Sequence, residues 1–293
     1  MDPVDLTDPR PSPIAGSWYS GKPEVLRKAI EGFLAQAVAP AFDGQPVGLI
    51  VPHAGYIYSG LTAAHAFKVL QGSQFTRVMV LSPSHQPYRQ PLLTTGHDAY
   101  TTPLGLVPVD HDALNKLHTL LNGESGLELA SVRRDQEHSL EIELPFLQTV
   151  LPEGFGLIPL MMVDQSKSLV QMLSTALVKL IRSFPQEEST LLVASSDLSH
   201  FYSERVANRL DGNLAQAVRE FDLESFYRNK QQGEMEACGL APMATVLQTS
   251  HLLGAGQVTI ADYRTSAAVT GDRSSVVGYL SAVISTGKAA EHV

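Results

Sequence analysis

Three short apolar runs constrain the fold of this chain more than any other feature. They are Val47-Gly48-Leu49-Ile50-Val51, Arg77-Val78-Met79-Val80-Leu81 and Thr190-Leu191-Leu192-Val193-Ala194. Runs of this length without alternation suit strands covered on both faces, as in a parallel sheet between helical layers. A fourth run, from Gly156 to Val163, contains Pro159, which has no N–H for a ladder, so it reads as an edge or irregular strand. Helical spacing alternates with these runs: Pro23 to Ala37, with Leu26, Ile30, Phe33 and Leu34 on one side, then about 60–70, 110–122, 139–151, 167–184, 203–219 and 240–253. The alternation predicts an α/β fold of three layers, α/β/α, around a largely parallel central sheet. Two late segments, Gln257 to Asp262 and Ser275 to Ser285, have strand character on either side of a polar, glycine-containing stretch. They predict a hairpin-like return and hence a mixed sheet. The chain reads as one domain over 1–293, with residues 1–20, which hold the only tryptophan, Trp18, as an N-terminal arm packing on it.

Composition narrows the classes. With 293 residues, 44% hydrophobic and 17% charged, the chain has the make-up of an ordinary globular protein with a sizeable core. A net charge of -9 argues against nucleic acid as a partner. A single cysteine, Cys238, excludes an internal disulfide and fits a cytoplasmic protein. The N-terminus has no basic segment followed by an apolar one, and no apolar run reaches the roughly 20 residues that span a bilayer, so no membrane association is expected.

Chemistry collects after the apolar runs. The first is followed by Pro52-His53-Ala54-Gly55-Tyr56-Ile57-Tyr58, the second by Ser82-Pro83-Ser84-His85, and the third by Ser195-Ser196-Asp197-Leu198-Ser199-His200. Ligands of open α/β sheets bind at the carboxyl ends of parallel strands, so parallel pairing brings these three loops to one edge. Cys238, in Ala237-Cys238-Gly239, precedes a helical pattern. The N-terminus of a helix favours a thiolate, and Gly239 would let backbone approach a ligand closely. Two imidazoles and a thiolate form a three-ligand set that leaves positions open and suits iron(II), zinc or copper rather than magnesium or calcium. The plainer readings are loop histidines satisfied by local hydrogen bonds and a cysteine buried as a small hydrophobe. A nucleophilic cysteine paired with a histidine is a third.

At these residues the chain resembles the Memo family. The motifs are Ala15-Gly16-Ser17-Trp18-Tyr19, Pro52-His53-Ala54-Gly55-Tyr56 with Tyr58 and Gly60, Pro83-Ser84-His85, Glu137-His138-Ser139-Leu140-Glu141, Ser195-Ser196-Asp197 with His200, and Cys238-Gly239, in family order across nearly the whole chain. The resemblance implies a fold similar to class III extradiol ring-cleaving dioxygenases and a metal site at His53, His85 and Cys238. It also implies a bacterial pairing with a radical-SAM protein. Human-type members carry a basic residue and a histidine after the Cys-Gly pair, where this chain has Leu240 and Ala241. Recognition of anionic ligands therefore does not carry over.

Further roles follow as expectations. His200 would act as a general acid or base beside the metal. Asp197 would orient a ligand or supply an oxygen, or else cap the helix near Ser203. His138 and Glu141, three apart, would share a helix face as pocket wall, or else Ser139 caps a helix there. Trp18 and Tyr58 would line a pocket for an aromatic substrate, or simply pack. Three functions compete: an iron(II)-dependent redox enzyme of dioxygenase type acting on a small molecule, a non-catalytic metal- or ligand-binding partner of a radical-SAM protein, and a zinc hydrolase.

Overall fold

The apolar runs form strands because each must bury side chains on both faces. Leu49, Ile50 and Val51, Val78 to Leu81, and Leu191 to Ala194 are all removed from solvent. The computed structural model describes residues 6–287. In chain order its elements are β1 (Pro9–Arg10), α1 (Pro23–Gln36), β2 (Pro46–Val51), α2 (Tyr56–Phe67), β3 (Arg77–Pro83), β4 (Leu92–Thr95), β5 (Ala99–Thr102), β6 (Gly105–Pro108), α3 (His111–Ser125) and β7 (Ala130–Val132). There follow α4 (Leu144–Val150), β8 (Gly156–Met162), α5 (Lys167–Arg182), β9 (Thr190–Ser195), β10 (His200–Tyr202), α6 (Glu204–Arg219), α7 (Leu223–Gln231), α8 (Leu240–Leu252), β11 (Gln257–Thr265), α9 (Ala267–Thr270) and β12 (Val276–Ser285).

The main sheet runs β10-β12-β2-β9-β3-β8-β4-β7, with β11 paired to β12. Its centre, β2-β9-β3-β8, is parallel throughout. The β11–β12 hairpin and the β12–β2 and β8–β4 pairings are antiparallel, so the sheet is mixed, as expected. Helices pack in two groups, α3, α5 and α8 in one and α1, α2 and α4 in the other, which makes the fold a three-layer α/β/α arrangement. No helix among the described residues is long and apolar enough to cross a membrane.

Several expectations need correction. The strand with Pro159 is not at an edge: β8 lies between β3 and β4. Proline is tolerated because the β4 ladder covers only Met161 and Met162, and the Pro159 carbonyl accepts the Thr94 hydroxyl at 2.7 Å. The nitrogen of Pro159 faces the same side, beyond the last ladder pair, where no donor is needed. The helix expected from 139 begins later, with one 3-10 turn at Glu141–Glu143 before α4. Ser139 caps nothing; its hydroxyl sits in a buried knot, donating to Glu137 Oε1 at 2.7 Å with the Pro83 carbonyl 3.1 Å away. Asp197 does not cap α6, whose N-cap is Ser203.

The arm packs on the body by specific contacts. β1 joins a small sheet with β5 and β6, and the Trp18 carbonyl accepts the Tyr56 N–H at 2.9 Å. A side chain at Gly55 would come within 3.3 Å of that carbonyl, which explains a glycine at the start of α2. The first five residues of the predicted arm lie outside the described residues.

Candidate metal centre

Parallel register brings the three loops together. Val51 pairs with Ser195 and Leu81 with Ala194, so the segments carrying His53, His85 and Asp197 leave the sheet at one edge. Helix α8 packs on β3 and β9 and delivers Cys238 from its N-terminal end. Gly239 makes this possible, but not by approaching a ligand: a Cβ there would lie 2.5 Å from the Ser195 carbonyl and 2.7 Å from the Ser196 Cβ. Its N–H donates to the Ser196 hydroxyl at 2.8 Å, and the Ala241 N–H donates to Gln165 Oε1 at 2.7 Å, so the helix start is anchored on two loops. In the result, one donor atom each from His53, His85 and Cys238 lies within 4.8 Å of the others. The Cys238 sulfur is 3.0 Å from His53 Nε2, and the two imidazole rings stand edge-on at 89°.

Each imidazole is fixed through its other nitrogen. His85 Nδ1 lies 2.9 Å from Glu137 Oε1, and the His85 N–H donates to Glu137 Oε2 at 2.6 Å. The same carboxylate accepts the backbone N–H groups of His138 and Ser139 and the Ser139 hydroxyl. His85, Glu137 and His138 form a second cluster of potential ligands. Four of these donors converge on Oε1 and one, the His85 N–H, on Oε2, so the carboxylate is placed to orient His85. His53 Nδ1 lies 2.9 Å from the Ser195 hydroxyl, which also reaches the Ser139 carbonyl at 2.6 Å and Glu143 Oε1 at 2.8 Å. Both arrangements leave Nε2 free to face the shared centre.

Charge at the site is set by burial. Burial together with the neighbouring His138 and His85 drives His53 well below the usual histidine range. Burial lowers His138 to about 4 although Glu137 pulls it up. Burial would raise Glu137, but the hydrogen bonds from His85 outweigh it and hold this carboxyl far below the ordinary range. The imidazoles of His53 and His138 are thus neutral, the form that binds metals. Cys238 departs from expectation. Burial of the sulfur, reinforced by Asp197, pushes the thiol well up, despite its place before a helix and the Asp197 N–H at 3.2 Å. Without a cation beside it the group is a thiol; a metal reverses that balance by stabilising the anion directly.

The remaining predicted residues divide. Asp197 joins the centre: its Oδ1 accepts the backbone N–H groups of His53 at 2.8 Å and Ala54 at 3.2 Å, and burial raises it to about 7. His138 joins too, lying between Trp18 at 4.2 Å and His85 at 4.6 Å between ring centroids. Trp18 therefore covers the site through His138. Glu141 does not share a face with His138. It is fully buried and accepts Arg10 Nη1 at 2.7 Å and the Tyr19 hydroxyl at 2.7 Å, and Arg10 also pairs with Asp135, so this glutamate ties down the arm. His200 begins β10, its N–H donating to Glu236 at 3.3 Å and its ring set against exposed Phe201, outside the donor cluster. Tyr58 lies exposed on the first turn of α2. Sequence reading gave no role to Ser195, Glu143 or Gln165. A signal existed for Glu143: an acid inside the apolar stretch Leu140-Glu141-Ile142-Glu143-Leu144 needs a partner wherever it is buried. Gln165 had none.

Comparison with known proteins places nearly the whole chain in one family. The family profile described as "Memo-like protein" matches residues 10–283. The chain is 33% identical to a MEMO1 family protein of Nitrosopumilus maritimus over 270 residues, covering 91% of this chain and 96% of that protein. It is 33% identical to one of Thermotoga neapolitana over 282 residues, covering 93% and 98%. A third, of Aquifex aeolicus, is 31% identical over 269 residues, covering 91% and 96%.

Proposed function

The chain belongs to the Memo family, and from that premise we propose that it is a metal-binding protein whose His53, His85 and Cys238 hold a transition metal, iron(II) foremost, for oxidation of a small molecule. One observation carries the reading: three donors from segments far apart in sequence lie within 4.8 Å of one another, and both imidazoles are tied at Nδ1. Mixed nitrogen and sulfur donors suit iron(II), copper or zinc. When bound, the metal would supply open coordination positions and, for iron or copper, a redox centre.

The chain's own residues have definable tasks. Glu137 and Ser195 orient the two imidazoles. Asp197, near pH 7 in its titration, can hold or release a proton beside Cys238 and His53. His200 is available as a proton carrier at the rim. Trp18 and His138 wall off one side from water. A nucleophilic Cys238–His53 pair is disfavoured, because burial keeps the sulfur protonated where a nucleophile needs it ionised.

Anaerobic titration of the native protein and of Cys238→Ser with iron(II), followed by oxygen uptake with catechols and other phenols, tests the reading. Native protein should bind one equivalent, and Cys238→Ser should lose affinity by more than the roughly 100-fold that outer partners govern. Equal binding by both proteins would refute the ligand set. Tight binding without oxygen uptake would instead favour a non-catalytic metal carrier for a radical-SAM partner. Exclusive zinc binding with ester or amide turnover would favour a hydrolase.

A further inference from the structure

The hydroxyl of Ser195 has more neighbours than its single proton can serve. It lies 2.6 Å from the Ser139 carbonyl, 2.8 Å from Glu143 Oε1 and 2.9 Å from His53 Nδ1. A carbonyl oxygen can only accept, and its contact is the shortest, so the Ser195 proton goes there. The two remaining contacts then face oxygen lone pairs and must bring protons of their own. His53 meets that demand only as the tautomer with hydrogen on Nδ1. Glu143 meets it only as the uncharged acid.

Independent features of the site agree. Glu143 is 1% exposed, and its environment among the described residues contains the charge of Asp197 and no ion-paired cation. An ionised carboxylate buried in that way would be costly. At the far side of His53, Nε2 lies 3.0 Å from the Cys238 sulfur, where a lone pair can accept the thiol proton. Each hydrogen in the chain Glu143–Ser195–His53–Cys238 thus has one direction that leaves no clash.

We propose that Glu143 is a positioning residue, an uncharged buried donor that acts through Ser195 to lock His53 with its Nε2 lone pair aimed at the metal position. The inference rests on the metal-site reading for its purpose, but not for its test. In metal-free protein, nitrogen-15 spectra should show His53 protonated at Nδ1 and bare at Nε2. The infrared difference between native protein and Glu143→Gln at about pH 8 should contain the carbonyl band of a neutral carboxylic acid. An amide can donate as the acid does, so Glu143→Gln should keep the His53 tautomer. Ser195→Ala should release the ring into a mixture of tautomers and weaken iron(II) binding by about 10–100-fold. The native-protein spectra decide the matter even if that variant does not fold. A His53 ring protonated at Nε2, or a carboxylate rather than acid band lost in Glu143→Gln, would overturn the inference. Failure to bind iron(II) with both spectra as expected would sink the metal reading alone.

Discussion

The two histidines of the centre are held for the same end by opposite means. His85 stands on a half-open loop and is oriented by Glu137, an ionised carboxylate that accepts five hydrogen bonds. His53 is buried and is oriented by a hydroxyl backed by a second glutamate that has no cation beside it among the described residues. A charge is tolerated where donors converge on it in number, and Glu137 gathers the backbone N–H groups of His138 and Ser139 beside it and of His85 from a separate loop. Deeper in, at Ser195, the donors are too few, and neutrality is the cheaper state. The lesson is that a buried acid's role is decided by counting its donors, not by its distance from a ligand.

Amide replacement sharpens this contrast and has the largest expected effect. Every partner of Glu137 is a donor, so whichever end of a glutamine carries the NH2 must face another N–H or O–H. Glu137→Gln should cost on the order of 2–4 kcal/mol in stability and lower metal affinity by about 10–100-fold. Chemical denaturation and iron(II) titration of Glu137→Gln beside Glu143→Gln measure both. Equal losses in the two variants would erase the distinction between the arms.

A second change breaks only the His53 side. In Gly239→Ala the new methyl would meet the Ser195 carbonyl at 2.5 Å, and backbone cannot swing away as a side chain can. Overpacking of this kind costs about 1–3 kcal/mol. It should also displace Cys238 from His53 while leaving the His85–Glu137 bond intact. A thermal melt with a nitrogen-15 spectrum of both histidines tests this, and unchanged His53 with shifted His85 would contradict it.

Titration separates the groups further. His138 falls from 6.5 unfolded to about 4 folded. Its contribution is full above pH 6.5 and is lost as pH falls toward 4, because the unfolded chain binds the proton first. Asp197 runs the other way, from 3.8 unfolded to about 7 folded. Its contribution is full below pH 3.8 and is lost as pH rises through about 7. Each spans a few kcal/mol at most, and between about pH 4 and 6.5 the two slopes oppose each other. Asp197→Asn should expose a loss of stability toward acid, and His138→Gln a loss toward neutral pH. Melting temperatures across that range report the slopes, and slopes of the reverse sign would refute the assignment.

Much of this was legible in the sequence, for reasons that can be named. Continuous apolar runs reported the central strands because burial on both faces leaves no polar alternation. Parallel order then fixed which loops share an edge, so His53, His85 and Asp197 could be grouped without coordinates. What failed was whatever depends on contacts between distant segments. Pro159 looked like an edge marker because its local cost is visible, whereas the short β4 ladder that spares it is not. Glu141 looked like a partner of His138 by spacing, but Arg10, 131 residues away, claims it. Gly239 was read as making room for a ligand, when the close neighbour is the Ser195 carbonyl. The short strands β4 to β7 carry too few residues for a period to emerge.

The smallest effect tests how far the arm contributes to the contrast. Trp18 packs at a tilt against His138, and His138 in turn stacks on His85, the more exposed of the two candidate ligands. Trp18→Leu keeps an apolar residue but uncovers part of the imidazole. Burial is the first cause of the low His138 value, and Glu137 pulls upward, so hydration should let His138 climb from about 4 back toward 6.5. His53 lies beneath the centre and is held down by its own burial first, so its titration should barely move. Proton NMR titration of the two rings in Trp18→Leu measures the split. A His53 that rises with His138 would mean that the arm, rather than the sheet edge, keeps water from the buried half of the site.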